Sequence, residues 1–156
     1  MPRSTSRRNT RRRASRPGLR AHYLAARYVV GDGPECFVLR VDASSEPLLA
    51  LHRLHGVQCS AFLTACNPRS ELRDAIENER AQHELVALLQ QRGHVCVAGR
   101  GVDPAGRWPD EPSVLALGIA PADAEELALR FGQNALLVTG EDGVPRLHWM
   151  QGPAAR

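Results

Sequence analysis

The sequence predicts a single α+β domain in which a mostly antiparallel sheet of about five or six strands packs with three main helices. The chain has 156 residues, the length of one domain, and 43% of them are apolar, which is enough for one hydrophobic core. Short β-prone runs alternate with amphipathic segments of helical periodicity, and the last two runs flank a Gly-Glu-Asp-Gly turn. Such a turn between two strands is typical of an antiparallel hairpin.

The first 18 residues are predicted to form a disordered basic tail, because they carry like charges without apolar periodicity. Residues 1–20 hold eight arginines and no acid, so the rest of the chain has 12 arginines against 17 acids, a formal charge of −5. Two interpretations of the tail stay open: non-specific binding of nucleic acid through phosphate contacts, and a solvated extension or a start codon assigned too early. The first would use Arg7, Arg8, Arg11, Arg12 and Arg13.

The predicted domain spans residues 19–150. Its N-terminal half begins with a short helix that runs into a strand by residue 30. Residues 36–41 are a β-prone run and are predicted to be a core strand. A helix follows, capped by Ser44 or Ser45 and stopped by Gly56. Its apolar face is predicted to consist of Leu48, Leu51 and Leu54.

The middle of the chain is predicted to contain a strand over residues 57–65 and the longest helix. Alternation along the strand sends Thr64 to the face opposite Ala61 and Leu63. Asn67 followed by Pro68 is typical of an N-cap with proline in the first turn, which predicts a helix from there to about residue 92.

The C-terminal half is predicted to contain, in order, a strand over 94–98, a connection over 99–112, a strand over 113–119, an amphipathic helix over 121–131 and a hairpin of strands over 134–139 and 144–150. The connection is rich in Gly and Pro, and a loop of this length inside a domain is often functional. Residues 151–156 are a predicted C-terminal tail. We expect Trp108, in the connection, either to stack on a ligand or to pack on its own domain.

The cysteines and the hydropathy indicate a cytoplasmic protein. The four cysteines show neither a CxxC pair nor the Cys/His spacing of a zinc site, so they are predicted to be reduced thiols, with no metal or cofactor. No apolar run approaches the roughly 18 residues that span a bilayer, so no membrane partner is expected.

Three segments together resemble the bacterial family known as domain of unknown function 3293. They are residues 61–68 (AFLTACNP) with Glu77 and Asn78 following, residues 111–113 (EPS) and residues 131–135 (FGQNA). The resemblance extends over roughly residues 20–148 and leaves out the basic tail. It implies a fold and a set of residues, and it implies no reaction.

Polar residues at the ends of the predicted elements predict a pocket for a small polar or anionic ligand, for example a nucleotide. The helix that starts at Asn67 would offer free N–H groups to an anion, and Arg69 would add a bidentate contact. Asn and Gln suit the edge of a base or sugar, because they offer a donor and an acceptor together. The predicted ligand-binding residues are Thr64, Asn67, Arg69, Asn78, Ser113, Gln133 and Asn134, with Glu111 as the catalytic group.

Simpler roles explain the same residues. Asn67 is then only a cap, Asn78 a buried amide, Gln133 and Asn134 the end of a helix, and Glu111 an exposed loop acid. The protein would be either a nucleic-acid-associated module that uses its tail or a protein-interaction adaptor without a pocket. The ligand-binding prediction fails if Asn67, Glu111 and Gln133 lie far apart.

Overall fold

The computed structural model describes residues 16–150 as a seven-stranded sheet, antiparallel at every pairing, with four α-helices. The helices are α1 (Arg16–Ala25), α2 (Glu46–His55), α3 (Ala75–Gln91) and α4 (Pro121–Arg130). The strands are β1 (Arg27–Val30), β2 (Phe37–Leu39), β3 (Ser60–Leu63), β4 (Cys96–Val102), β5 (Glu111–Leu117), β6 (Ala135–Thr139) and β7 (Arg146–Trp149). They lie in the order β2-β1-β4-β5-β3-β6-β7. The predicted α+β class is confirmed, with more strands than expected.

The sheet buries apolar side chains on both faces. Ala61 and Leu63 of β3 pack with α3 and α4, whereas Phe62 packs on the other face with Leu48 of α2. The alternation is therefore confirmed for Ala61, Phe62 and Leu63, but the strand is limited to Ser60–Leu63 and is shorter than the predicted 57–65. β3 is also the most enclosed strand, since all four of its residues are buried.

Two predictions in the N-terminal half need correction. β2 is an edge strand, not a core strand: it pairs only with β1, and only Leu39 is buried while Cys36 is exposed. In α2 the cap at Ser45 is as predicted, but Leu54 is 77% exposed and His52 takes the inward position. The residues of a β-prone run do not reveal how many neighbouring strands it will have. In α2, periodicity alone does not determine whether the helix presents Leu54 or His52 to the sheet.

The longest helix starts later than predicted. α3 begins at Ala75, with the carboxylate of Asp74 accepting from the backbone N–H of Glu77 at 2.9 Å, and Asn67 makes no side-chain cap bond. Residues 68–70 form only a single 3₁₀ turn. The helix does end near the predicted place, at Gln91.

The connection before β5 is shorter than predicted, because β4 continues through Gly99 and Gly101 to Val102. A Cβ atom on Gly99 would lie 2.5 Å from the carbonyl oxygen of Val29 and 2.8 Å from the Phe62 ring. This glycine therefore allows a close approach inside the sheet and does not mark a turn. The loop is reduced to residues 103–110. None of the helices in residues 16–150 is long and apolar enough to cross a membrane.

Candidate functional site

The predicted polar residues meet at one end of the sheet. β3 ends where β5 and β6 begin, because both are antiparallel neighbours of β3. Residues 67–70, called here the Asn67 turn, follow β3 and lie against the starts of the other two strands. The predicted proximity of Asn67, Glu111 and Gln133 is observed: Asn67 bonds directly to Glu111, and Gln133 bonds to the residue before Asn67.

Glu111 is held by two donors on the same oxygen. Its Oε1 accepts from Asn67 Nδ2 at 2.7 Å and from Trp108 Nε1 at 3.2 Å. Oε2 has no hydrogen-bond partner among the described residues. Two donors on one oxygen fix the direction of the carboxylate and leave the other oxygen available as an acceptor.

Asn67 itself is 4% exposed and fully engaged. Its Oδ1 accepts from the backbone N–H of Arg73 at 2.9 Å and from Asn78 Nδ2 at 2.8 Å. Its own backbone N–H donates to Asn78 Oδ1 at 2.9 Å. The amide of Asn78 thus pairs with both the side chain and the backbone of Asn67, which ties α3 to the turn.

The Asn67 turn is built from left-handed residues other than glycine. Asn67, Arg69 and Ser70 have φ values of 48°, 59° and 58°. Such conformations cost energy for residues with a Cβ atom and cluster at functional sites. The backbone N–H of Arg69 donates to the carbonyl of Gly132 at 2.7 Å, so the end of α4 holds the turn in place.

The predicted anion cradle at this turn is wrong. The N–H groups of Ser70 and Glu71 donate to carbonyls inside the turn, and those of Arg69 and Arg73 are also bonded. There is no α-helix dipole behind Asn67 either, because α3 starts eight residues later. Only the exposed side chain of Arg69 remains to contact an anion there.

The end of α4 adds two amides. Gln133 is 7% exposed and donates to the carbonyl of Cys66 at 3.0 Å. Asn134 donates to Ser70 Oγ at 2.9 Å, and the Tyr23 hydroxyl lies 3.4 Å from the same oxygen. An adaptor without a pocket would keep such residues out of the interior, so the burial of Gln133 does not favour that interpretation.

Thr64 and Ser113 lie behind the site and support its backbone. Thr64 Oγ1 donates to the carbonyl of Pro112 at 2.7 Å, and Ser113 Oγ donates to the carbonyl of Glu111 at 3.0 Å. Gln82, which was not among the predicted residues, accepts from the N–H of Ala65 at 3.0 Å. These bonds hold the end of β3 beside the start of β5.

Aromatic rings border Glu111. The Trp108 ring lies 6.2 Å from the His22 ring, and the Tyr23 ring lies 5.6 Å from that of Trp149. Asp103 shapes the loop that carries Trp108, since its carboxylate accepts from three backbone N–H groups, including that of Trp108 at 3.1 Å. These bonds lower the pKa of Asp103, so the carboxylate stays ionised and remains an acceptor for the loop backbone.

Burial determines the protonation of two other groups at the site. It raises the pKa of Tyr23 above its ordinary value; the hydrogen bond with Ser70 opposes this shift, and the charge of Glu111 adds to it. Burial also raises the pKa of the Cys66 thiol. Tyr23 is therefore a neutral hydroxyl, and Cys66 a protonated thiol with little nucleophilic character.

The structure thus groups all eight predicted residues around the Asn67 turn, with Arg69 directed to solvent. Sequence reasoning missed His22, Tyr23 and Ser70, which carry no local signal, and left two roles open for Trp108. The tail arginines named above lie outside the described residues.

A shallow depression at the start of α2, lined by Val38, Arg40 and residues 43–47, contains none of the predicted residues. Within residues 16–150 no group of three His, Cys, Asp or Glu is placed to hold a metal ion.

Residues 63–136 match the model of a family described as Protein of unknown function (DUF3293). The chain resembles this family. All eight predicted site residues lie inside the matched DUF3293 region, whereas His22, Tyr23 and Trp149 lie outside it. The match is shorter than the roughly 20–148 expected from the sequence. Neither a curated protein nor a solved structure matches the chain.

Proposed function

We propose that the Asn67 turn and Glu111 form a binding site for a small polar ligand that carries hydrogen-bond donors, for example a nucleotide. The observation that supports this best is that Oε2 of Glu111 has no hydrogen-bond partner within residues 16–150. A carboxylate that only capped Asn67 and Trp108 could use both oxygens, but here both donors converge on Oε1. The other oxygen is oriented by those bonds and remains an acceptor for an N–H or O–H group of a ligand.

The turn conformation supports the same proposal. Three left-handed residues in four cost roughly 1–2 kcal/mol each relative to a relaxed turn, and such strain persists at sites where a fixed geometry is needed. The strain places Asn67 against Glu111 and leaves the Arg69 side chain exposed. In this proposal Arg69 contacts an anionic group of the ligand, such as a phosphate, while Glu111 contacts its donors.

Glu111 is also the proposed catalytic group. It is the carboxylate bonded to Asn67, and Tyr23 beside it is neutral, so Glu111 is the group that can accept a proton from a bound substrate. Asn67 and Trp108 would act as positioning residues. We place this activity in the bacterial cytoplasm, where the free thiols of the four cysteines would remain reduced.

A thermal-shift screen of nucleotides, sugars and phosphorylated metabolites tests the proposal. Ligand at 100 times its dissociation constant stabilises the folded state by about 2.7 kcal/mol, which is readily detected as a rise in Tm. Glu111→Gln is the informative variant, because its remaining oxygen can still accept from Asn67 and Trp108 while an NH₂ group replaces the free oxygen. Asn67→Ala removes the turn contact itself.

Asp110→Asn is the matched control. Asp110 precedes Glu111 and carries the same charge, but it is exposed and lies 3.8 Å from Arg100. We expect a ligand that stabilises the parent and Asp110→Asn and fails to stabilise Glu111→Gln. An equal shift in the parent and in Glu111→Gln would place the ligand elsewhere and would refute the proposed site.

A further inference from the structure

We propose that the ligand is one nucleotide of a single-stranded polynucleotide, with its base beside Trp108 and Glu111 and the neighbouring phosphates on arginines that border the site. This inference rests on the proposed function and narrows its ligand class. Three features support it: an aromatic surface next to an acceptor without a partner in residues 16–150, exposed arginines in the segments that form the site, and the concentration of positive charge at the start of the sequence.

The aromatic surface and the acceptor match the way proteins bind unpaired bases. The indole of Trp108 is half-buried and donates to the same Glu111 whose Oε2 is free. The ring of His22 lies 6.2 Å from the indole in an edge-to-face arrangement. An unpaired base is recognised by stacking on such rings and by hydrogen bonds to its Watson–Crick edge.

Three exposed arginines belong to the segments that form the site. Arg69 lies in the Asn67 turn, the backbone of Arg73 donates to Asn67, and Arg107 precedes Trp108; all three side chains are exposed. None of the three forms a salt bridge with a described residue. The arginines that do pair with acids are Arg53, Arg92, Arg100, Arg130 and Arg146. Three exposed arginines in the two segments that carry Asn67 and Trp108 provide more positive charge than a single phosphate needs.

The distribution of charge along the sequence agrees with a polyanionic ligand. His22 is six residues from the start of α1 at Arg16, which corresponds to about 9 Å along a helix axis. Residues 1–15, joined to that end of α1, contain six arginines. Because the chain beyond residue 20 has a formal charge of −5, the net positive charge of the sequence is concentrated in its first 20 residues. A polyanion can contact many of these positive charges at once, whereas a free nucleotide can contact only a few of them.

The acceptor on Glu111 argues for a single strand with a base preference. In a duplex the Watson–Crick edge is occupied, so Glu111 could not reach it. Cytosine and adenine offer an exocyclic NH₂ donor to a carboxylate, while thymine and uracil offer only a ring N–H. We therefore expect tighter binding of cytosine- or adenine-containing strands than of thymine- or uracil-containing strands.

Fluorescence anisotropy with the full chain and labelled strands of about 12 nucleotides tests the inference. The strands are oligo(dC), oligo(dT), their RNA counterparts, and one mixed sequence offered both single-stranded and as a duplex. The proteins are the parent, Glu111→Gln, the double variant Arg69→Ala/Arg107→Ala, and the control Asp110→Asn, which removes the same charge as Glu111→Gln. Circular dichroism confirms that each variant is folded.

The expected result is specific to each variant. The parent binds single strands at least tenfold more tightly than the duplex, and Glu111→Gln loses the preference for cytosine over thymine while Asp110→Asn keeps it. The double arginine variant binds all strands more weakly, and its log–log salt slope is smaller by about 1.4, because two phosphate contacts are lost. Binding of either the DNA or the RNA strands supports the inference, and the tighter of the two identifies the natural class.

Three results would overturn it. If mononucleotides stabilise the parent through Glu111 but strands bind no more tightly, the proposed function stands and this inference is refuted. If strands bind equally to the parent, to Glu111→Gln and to the double arginine variant, the basic tail binds them without the site. If neither mononucleotides nor strands bind, this inference is refuted; if the sugars and phosphorylated metabolites of the thermal-shift screen also fail to bind, the proposed function fails with it.

Discussion

Asn67 combines a strained backbone with a fully bonded, buried amide. Asn67→Ala removes the donor to Glu111 and the acceptor for Arg73 and Asn78 while keeping a Cβ atom in the left-handed region. We expect the free energy of unfolding to fall by about 2–4 kcal/mol, because partly buried polar groups lose their partners. Urea titration measures this loss.

Asn67→Gly separates the two causes. Glycine makes no side-chain bonds but adopts a left-handed conformation without strain, so this variant should be about 1 kcal/mol more stable than Asn67→Ala. Equal stability of the two variants would show that the backbone of the turn is not strained. If both variants were as stable as the parent, the side-chain hydrogen bonds of Asn67 would contribute nothing to the free energy of unfolding.

The residues of the site were predictable to the extent that they lie at the ends of strands. Thr64, Glu111 and Gln133 occur where an apolar run meets polar residues, and antiparallel pairing brings such ends together. The cap role predicted for Asn67 was wrong, because Asp74 caps the helix instead. Both residue types are good helix caps, so the local sequence does not decide between them. The bonds of the turn to Glu111 and Gly132, both distant in sequence, decide between them.

His52 makes the stability of the fold depend on pH. It is buried against the sheet, with Nε2 bonded to Ser60 Oγ at 2.8 Å and Nδ1 without a partner in the described residues. Burial lowers the pKa of His52 below its ordinary value of 6.5. At pH values between the folded and unfolded pKa of His52, the unfolded chain therefore binds more protons than the folded protein does. The stability that comes from burying His52 in its neutral form is complete above about pH 6.5 and is lost as the pH falls.

Urea unfolding at about pH 5 and about pH 7.5 measures the effect, which is at most about 1.4 kcal/mol per pH unit. We expect the parent to lose more stability at the lower pH than His52→Gln, whose amide can still bond to Ser60. His55→Gln, on the exposed side of the same helix, should behave like the parent. A pH dependence that is the same in all three would contradict the role of His52.

Among the elements, α4 and the terminal hairpin followed directly from periodicity and turn residues, whereas β4 did not. The Gly-Arg-Gly sequence in β4 looks like a loop, yet Gly99 is required there because β1 and the Phe62 ring approach it closely. A contact between residues distant in sequence has no local signature. For the same reason the edge position of β2 was not predicted from its residues.

The two glycines of β4 give a matched test of this explanation. Gly99→Ala should lower the free energy of unfolding by about 2–4 kcal/mol, because its Cβ would overlap a carbonyl oxygen and an aromatic ring. Gly101→Ala should change stability by less than about 0.5 kcal/mol, since no atom lies within 4 Å of its Cβ position. Similar losses in both variants, measured by urea titration, would mean that β4 simply disfavours alanine.

At the scale of the whole molecule, one sheet separates two apolar layers and also supports the site at its end. β3 contributes to both layers, with Leu63 on one face and Phe62 on the other, and its last residue leads into the Asn67 turn. A change in either layer should therefore be transmitted to the site through the same strand. The two tryptophans of the chain report on that site, because Trp108 bonds to Glu111 and Trp149 packs on Tyr23.

Cooperative unfolding across the sheet is the resulting prediction. Leu127→Ala and Leu39→Ala each remove a fully buried side chain, one from each layer, and each should lower the free energy of unfolding by about 2–4 kcal/mol. In both variants the urea transition followed by tryptophan fluorescence should coincide with that followed by circular dichroism, as in a two-state domain. If the fluorescence transition came first in Leu39→Ala alone, the site would unfold with that layer while the rest of the sheet stayed folded. The predicted single domain would then consist of two independently folding parts.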